Sequence, residues 1–165
     1  MTPRVADALG RAVVVAEPDD SLVAVRALMT ANQVDHVAVV AHGRLLGLVA
    51  ASDLDAAHPS RATTLTVLEI RAALEAIPAR RVMREVPAVA PATPLAEAAR
   101  LMREGDLCAL PVLRGHTVVG VLTDLDVLAC ISGEAAAADV SPHVTVPSSS
   151  GNAPSAIIPG MREGP

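Results

Sequence analysis

The stretch Gly120-Val121-Leu122-Thr123-Asp124-Leu125-Asp126-Val127-Leu128 decides the fold of this chain. An apolar run that leads into Thr123 and resumes after Asp126 is typical of a buried strand passing into a helix. Thr123 and Asp126 have the Thr-x-x-acid spacing of a capping box, which satisfies free N–H groups at a helix start. Capping is the simplest interpretation of the motif alone. A second interpretation arises because the surrounding seventy residues occur twice.

The duplication has a constant offset of 73 residues. Five matched pairs show it: Pro18 and Pro91, Leu22 and Leu95, Met29 and Met102, Gly47 and Gly120, and Asp53 and Asp126. Around each set, apolar spacing predicts the same order of strand, helix, strand, strand and helix. The agreement of spacing and element order indicates an internal repeat.

The pattern also predicts where the elements lie. In the first repeat we expect strands at 12–16, 37–41 and 45–49 and helices at 22–32 and from 52. In the second repeat we expect strands at 86–90, 110–113 and 118–122, and helices from 95 and from 123, the last ended by Gly133. The predicted organisation is a first repeat at 1–57, a connecting helical segment at 58–79, a second repeat at 80–133 and a disordered tail at 134–165.

Composition limits the function. The 165 residues include no aromatic side chain, and the formal net charge is −5. Both features argue against nucleic-acid binding, which uses basic faces and stacked aromatic rings. No apolar run is long enough to span a bilayer and no secretion leader is visible, so we expect a cytoplasmic protein without membrane contact. Cys108 and Cys130 are expected to be buried free thiols, and the histidine spacing predicts no metal site.

The repeated unit resembles the cystathionine β-synthase (CBS) domain, which usually occurs as a tandem pair. In the second repeat the resemblance rests on Pro91-x-Thr93-x-Leu95-x-x-Ala98-x-x-x-Met102, on Leu110-Pro111-Val112-Leu113 and on the stretch from Gly120 to Leu128. In the first it rests on Pro18-Asp19-Asp20-Ser21-Leu22, Met29 and Gly47-Leu48-Val49-x-x-x-Asp53-Leu54. Together these motifs cover most of the chain.

The resemblance implies an α+β fold, in which two tandem β-α-β-β-α repeats pack about a pseudo-twofold axis and leave two clefts between them. It implies that one cleft binds an adenosine-containing ligand, such as AMP, ADP, ATP or S-adenosylmethionine. Carried over to this sequence, the ribose ligands are Thr123 and Asp126. The adenine slot is lined by Ala109, Leu110 and Pro111 and closed by Val86 and Pro87.

Departures from the family pattern affect the first repeat most. Ala50 stands where the hydroxyl residue is expected, so Asp53 is predicted to cap its helix rather than bind ribose. Ala38 replaces the strand proline. In the second repeat, Leu125 stands where phosphate-binding members often have a basic residue. Candidate phosphate contacts are therefore Arg80, Arg81 and Arg84, whose alternative role is that of solvent-exposed connector charges.

The sequence thus predicts a stand-alone regulatory CBS pair that senses an adenosine-containing ligand and modulates an unidentified protein. The alternative is a ligand-free structural or dimerisation module. No catalytic motif occurs, so we expect neither enzyme activity nor a cofactor beyond the regulatory ligand. The apolar content of 52% and the family resemblance predict a homodimer.

Overall fold

The computed structural model of the protein describes residues 1–59 and 64–134. Twelve stretches of regular structure follow one another in these residues. In chain order they are α1 (Val5–Ala8), β1 (Val15–Ala16), α2 (Leu22–Asn32), β2 (His36–Ala41), β3 (Arg44–Ala50), α3 (Ala51–Ala57), α4 (Val67–Glu75), a 3-10 helix (Ala79–Arg81), α5 (Leu95–Gly105), β4 (Ala109–Arg114), β5 (Thr117–Thr123) and α6 (Asp124–Ser132).

The strand pairing repeats at the same offset as the sequence. In the β2–β3 hairpin Val39 lies opposite Gly47, and in the β4–β5 hairpin Val112 lies opposite Gly120. Each hairpin shifts register immediately after its valine, as a β-bulge does. The duplicated α+β fold predicted from the sequence is therefore confirmed, as are both hairpins and the end of α6 at Gly133, which has a φ of 77°.

The predicted strand at 86–90 is wrong. In the first repeat, β1 pairs in parallel with β2, and the Ala38 N–H donates to the Val14 carbonyl over 3.0 Å. The residue that matches Ala38 is Pro111, which has no N–H to donate. Only an isolated bridge between Val89 and Val112 remains of this strand. In the first repeat the strand is also shorter than predicted, since β1 is only two residues long.

Each repeat is completed by a segment that precedes the other repeat's first strand. Helix α1 joins the second repeat, where the Val5 N–H donates to the Thr93 carbonyl over 2.9 Å. The 3-10 helix joins the first repeat, where the Ala79 N–H donates to the Asp20 carbonyl over 2.8 Å. Val5 and Ala79 are both fully buried in these cores. The core of each repeat thus includes a residue from beyond the boundaries that the sequence predicts for it. The division into the ranges 1–57, 58–79 and 80–133 stays a prediction.

A third apolar cluster holds the two repeats together. It combines residues of the two hairpins and of the segments that lead into them: Val13, Val15, Ala38, Leu48, Ala109 and Val118. Burial of aliphatic surface between the sheets stabilises the pair and fixes the clefts at its two edges. No helix in residues 1–59 and 64–134 is long and apolar enough to cross a membrane. The predicted tail lies outside the described residues except for Glu134.

The expectation that both cysteines are buried is wrong. Cys108 is exposed and Cys130 is half-buried, and both thiols are free. Cys108 lies in the turn before β4, where its backbone carbonyl accepts the Asp124 N–H over 3.0 Å. Cys108 lines a surface cleft and is not packed in the core.

Candidate functional site

Thr123 and Asp126 form a complete capping box at the start of α6. The backbone N–H and the hydroxyl of Thr123 both donate to Asp126 Oδ2, over 2.8 and 2.7 Å. In return, the Asp126 N–H donates to Thr123 Oγ1 over 3.2 Å. The capping interpretation is therefore correct as a description of the local structure. All the carboxylate bonds of the box use Oδ2, so the box leaves Oδ1 of Asp126 available.

The same two residues lie at a cleft between the repeats, here named the Asp126 cleft. Its volume is about 180 Å³. Residues 121 and 123–126 of the second repeat line one wall, and residues 11–14 and 34–36 of the first repeat line the other. The wall from the first repeat includes the aliphatic side chains Val13, Val14 and Val34. A half-buried acid thus faces apolar surface across the cleft.

A smaller cleft on the other edge, named here the Asp53 cleft, contains the matching elements with the repeats exchanged. Its volume is about 100 Å³, and its lining includes Ala50, Asp53, Arg84, Val86 and Ala109. Asp53 Oδ2 accepts the Ala50 N–H over 2.9 Å, so the predicted role of Asp53 in starting α3 is confirmed. Its Oδ1 lies 2.5 Å from Arg84 Nη2. Both carboxylate oxygens of Asp53 are therefore engaged.

The structure does not bring the predicted site residues together. Thr123 and Asp126 line one cleft, whereas Val86 and Ala109 line the other. Leu110 and Pro111 are buried in β4, and Pro87 is exposed outside both clefts. The structure separates them because the pseudo-twofold packing places each repeat's helix start opposite the other repeat's first segment. The residues that share the Asp126 cleft with Thr123 and Asp126 include Val13, Val14 and His36. They precede the predicted Val86, Pro87 and Ala109 by 73 residues.

The arginines predicted to contact phosphate are not at the Asp126 cleft. Arg84 belongs to the Asp53 cleft, Arg80 pairs with Asp19, and Arg81 lines neither cleft. The arginine that lines the Asp126 cleft is Arg11, which sequence reasoning missed. Its position 73 residues before Arg84 was the signal that could have found it. Its Nη1 donates to the Gln33 carbonyl over 3.0 Å.

His36 lines both clefts, since it opens β2 where the two hairpins meet. Burial lowers the pKa of His36 from its ordinary value of 6.5, and the carboxylates of Asp35, Asp124, Asp53 and Asp126 only partly oppose this effect. The imidazole is therefore neutral at physiological pH. No group of three metal-ligating side chains occurs within residues 1–59 and 64–134.

Comparison with solved structures finds other CBS domains. The chain is similar to the CBS domain of a CBS-domain-containing membrane protein from Sphaerobacter thermophilus, with 27% identity, a TM-score of 0.67 and coverage of 77% of this chain and 86% of that one. It is also similar to the CBS domain pair of MJ0100 in complex with 5′-methylthioadenosine and S-adenosyl-L-methionine, with 20% identity, a TM-score of 0.66 and coverage of 81% and 99%. A third similar structure is CBSX2 in complex with AMP, with 22% identity, a TM-score of 0.64 and coverage of 79% and 97%.

Among curated protein sequences, none matches the chain. The family model of the CBS domain matches it twice, over residues 5–58 and 79–133. These two matches coincide with the two repeats of the sequence and include α1 and the 3-10 helix at their starts. The chain belongs to the CBS domain family and is a tandem CBS domain pair.

Proposed function

We propose that this CBS pair is a regulatory module that binds one adenosine-containing ligand per chain in the Asp126 cleft. The observation that carries the proposal is the state of the two matching acids. Asp53 is closed off by Ala50 and Arg84, whereas Asp126 keeps Oδ1 free of its capping box. Asp126 therefore keeps one carboxylate oxygen outside its capping box for a ligand, whereas each oxygen of Asp53 already contacts a protein group.

The chemistry of the cleft suits a ribose. Vicinal hydroxyls are paired donors, and an ionised carboxylate accepts them strongly. Thr123 Oγ1 lies beside the same carboxylate and can accept a further hydroxyl bond. Across the cleft, Val13, Val14 and Val34 offer apolar surface to a purine ring. Related pairs support this ligand class, since MJ0100 binds S-adenosyl-L-methionine and 5′-methylthioadenosine and CBSX2 binds AMP.

The competing function is that of a structural module without a ligand. It is favoured by the capping box, because Thr123 and Asp126 already satisfy each other. We propose a role without catalysis in either case, with a separate protein as the regulated partner. The two functions differ in whether a small molecule stabilises the folded chain.

A thermal-shift panel separates them. Adenosine, AMP, ATP, 5′-methylthioadenosine and S-adenosylmethionine should be compared with guanosine and uridine as controls. A ligand that binds only the folded state stabilises it by RT ln(1 + [L]/Kd), about 2.7 kcal/mol at one hundred times Kd. We expect at least one adenosine compound, and neither control, to raise the melting temperature. No shift with any adenosine compound at millimolar concentration would favour the structural module.

We also propose that the pair self-associates. Helix α6 carries the exposed side chains Leu125, Leu128 and Ile131, which are spaced by three residues and so lie along one side of the helix. Burial of such a stripe against a second copy would remove apolar surface from water. Leu128 is suitable for the test because, unlike Leu125, it does not line the Asp126 cleft. Leu128→Asp should yield monomers by light scattering under conditions in which wild type is dimeric, and a monomeric wild type would refute self-association.

A further inference from the structure

We infer that the Asp126 cleft selects adenosine derivatives whose 5′ substituent is neutral or cationic, and that it discriminates against 5′ phosphates. This inference rests on the proposed function and narrows its ligand class. The cavity and the Thr123–Asp126 pair define the site. The remaining charges on its walls decide which 5′ substituent it tolerates.

Carboxylates outnumber cations around this cleft. Among the residues that the structure describes, its lining contains Asp35, Asp124 and Asp126 but only one arginine, Arg11, so these side chains carry a formal charge of −2. Asp126 is assigned to the ribose. Asp35 and Asp124 are exposed at the mouth, one from each repeat, where they would face a substituent that leaves the ribose toward solvent.

Backbone contacts hold both of these acids at the mouth. The Asp35 carbonyl accepts the Ala51 N–H over 2.8 Å, which ties Asp35 to the start of α3. Asp124 begins α6, and its Oδ1 accepts the Leu125 N–H over 2.8 Å. The backbone of Asp35 and the carboxylate of Asp124 are therefore fixed at helix starts on opposite walls. A dianionic phosphate between them would be repelled from both sides, although solvent screens part of that repulsion.

The cations on the walls do not offset these acids. Arg11 already donates to the Gln33 carbonyl, which engages one of its guanidinium nitrogens. His36 adds no second positive charge near neutral pH, because burial lowers its pKa. Leu125, beside Asp126, is apolar and 69% exposed. A phosphate would thus meet one partly engaged guanidinium and two opposing carboxylates.

The experiment uses two ligands that differ only in the relevant substituent. 5′-Methylthioadenosine carries a neutral thioether where AMP carries a phosphate of nearly two negative charges. Calorimetry on the full chain should give at least tenfold tighter binding of 5′-methylthioadenosine. Raising the salt concentration should narrow this gap, because salt screens the repulsion of exposed charges. S-adenosylmethionine carries a positive sulfonium, so its binding should weaken as the salt concentration rises.

The double variant Asp35→Asn/Asp124→Asn removes both carboxylate charges and tests whether they cause the discrimination against phosphate. It should strengthen AMP binding at least threefold, weaken S-adenosylmethionine binding and lower the ratio of the 5′-methylthioadenosine affinity to the AMP affinity. Asp106→Asn is the matched control, since Asp106 is an exposed acid that lines the Asp53 cleft instead. Its effect on AMP should be smaller than that of the double variant. Circular dichroism at the assay temperature establishes that each variant is folded.

The outcomes separate the two levels of the account. AMP binding as tight as 5′-methylthioadenosine binding, or a double variant that leaves AMP affinity unchanged, would overturn the charge selection and leave the proposed function standing. If none of the three adenosine compounds bound, the proposed function itself would fail.

Discussion

Arg84 Nη2 lies 2.5 Å from Asp53 Oδ1, and the Asp53 side chain is only 7% exposed. In the Asp53 cleft this ion pair therefore engages the carboxylate oxygen that matches Oδ1 of Asp126, the oxygen that the capping box leaves available. Arg11, 73 residues earlier, lines the other cleft but donates to the Gln33 carbonyl instead of to Asp126. The two arginines occupy matching positions in the repeats, but Arg84 pairs with the acid of its cleft whereas Arg11 bonds to a backbone carbonyl.

The Arg84–Asp53 pair should contribute measurably to stability. Arg84→Met leaves a buried carboxylate without its cation, and hydrogen bonds to charged groups are worth about 1.5–3 kcal/mol. We expect urea unfolding to show a loss in this range. A double-mutant cycle with Asp53→Asn should give a coupling energy of at least about 1 kcal/mol.

Arg80→Met is the matched control for that cycle. Arg80 pairs with Asp19, whose side chain is 76% exposed. Exposed ion pairs contribute about 0–1 kcal/mol, so this variant should unfold nearly like wild type. Equal losses for Arg80→Met and Arg84→Met would mean that the Asp53 pair has no special role.

The matched glycines of the two repeats should respond differently to alanine. A Cβ built on Gly47 would lie 2.6 Å from the Arg84 carbonyl oxygen, which the Leu48 N–H also holds in place. Gly47→Ala should therefore cost roughly 1–3 kcal/mol. At Gly120 the nearest atom is Leu9 Cδ2 at 3.0 Å, and that side chain can rotate. Gly120→Ala should change the free energy of unfolding by no more than about 1 kcal/mol, and a larger loss there than at Gly47 would contradict the packing described.

Titration of His36 should make the free energy of unfolding depend on pH below about 6.5, the ordinary pKa of histidine. Because the folded-state pKa lies below 6.5, the unfolded chain takes up this proton first as the pH falls. The stabilisation is complete above pH 6.5 and is lost as the pH falls toward the folded-state pKa. His36→Gln should therefore lose less stability than wild type between pH 7.5 and 5.5 in urea unfolding. Parallel pH profiles for the two proteins would show that His36 does not titrate as described.

The duplicated fold could be predicted because the 73-residue offset fixes the hairpin partners in both repeats. The pairs Val39–Gly47 and Val112–Gly120 follow from the same apolar spacing. The first strand of the second repeat could not form fully, because Pro111 lacks the N–H that Ala38 supplies. Apolar pattern alone does not reveal this loss.

The makeup of the cleft could not be predicted in the same way. Val86 and Pro87 are near Thr123 in the same repeat, yet the structure places Val13 and Val14 across from Thr123. Pattern within one repeat does not specify how two repeats face each other. Arg11 could have been identified from the sequence, because it precedes Arg84 by the same offset of 73 residues. Its contact with the Gln33 carbonyl, however, depends on tertiary packing.

Calorimetry of Asp126→Ala and Asp53→Ala with 5′-methylthioadenosine tests the central claim most directly. Wild type should bind one ligand per chain. Asp126→Ala should bind at least tenfold more weakly, since hydrogen bonds to a charged acceptor are worth roughly 1.5–3 kcal/mol each. Asp53→Ala should bind the ligand as tightly as wild type. It should be less stable, because it loses the contacts of Asp53 with the Ala50 N–H and with Arg84. Two sites per chain, or a loss of affinity in Asp53→Ala as large as that in Asp126→Ala, would contradict the assignment of the ligand to the Asp126 cleft.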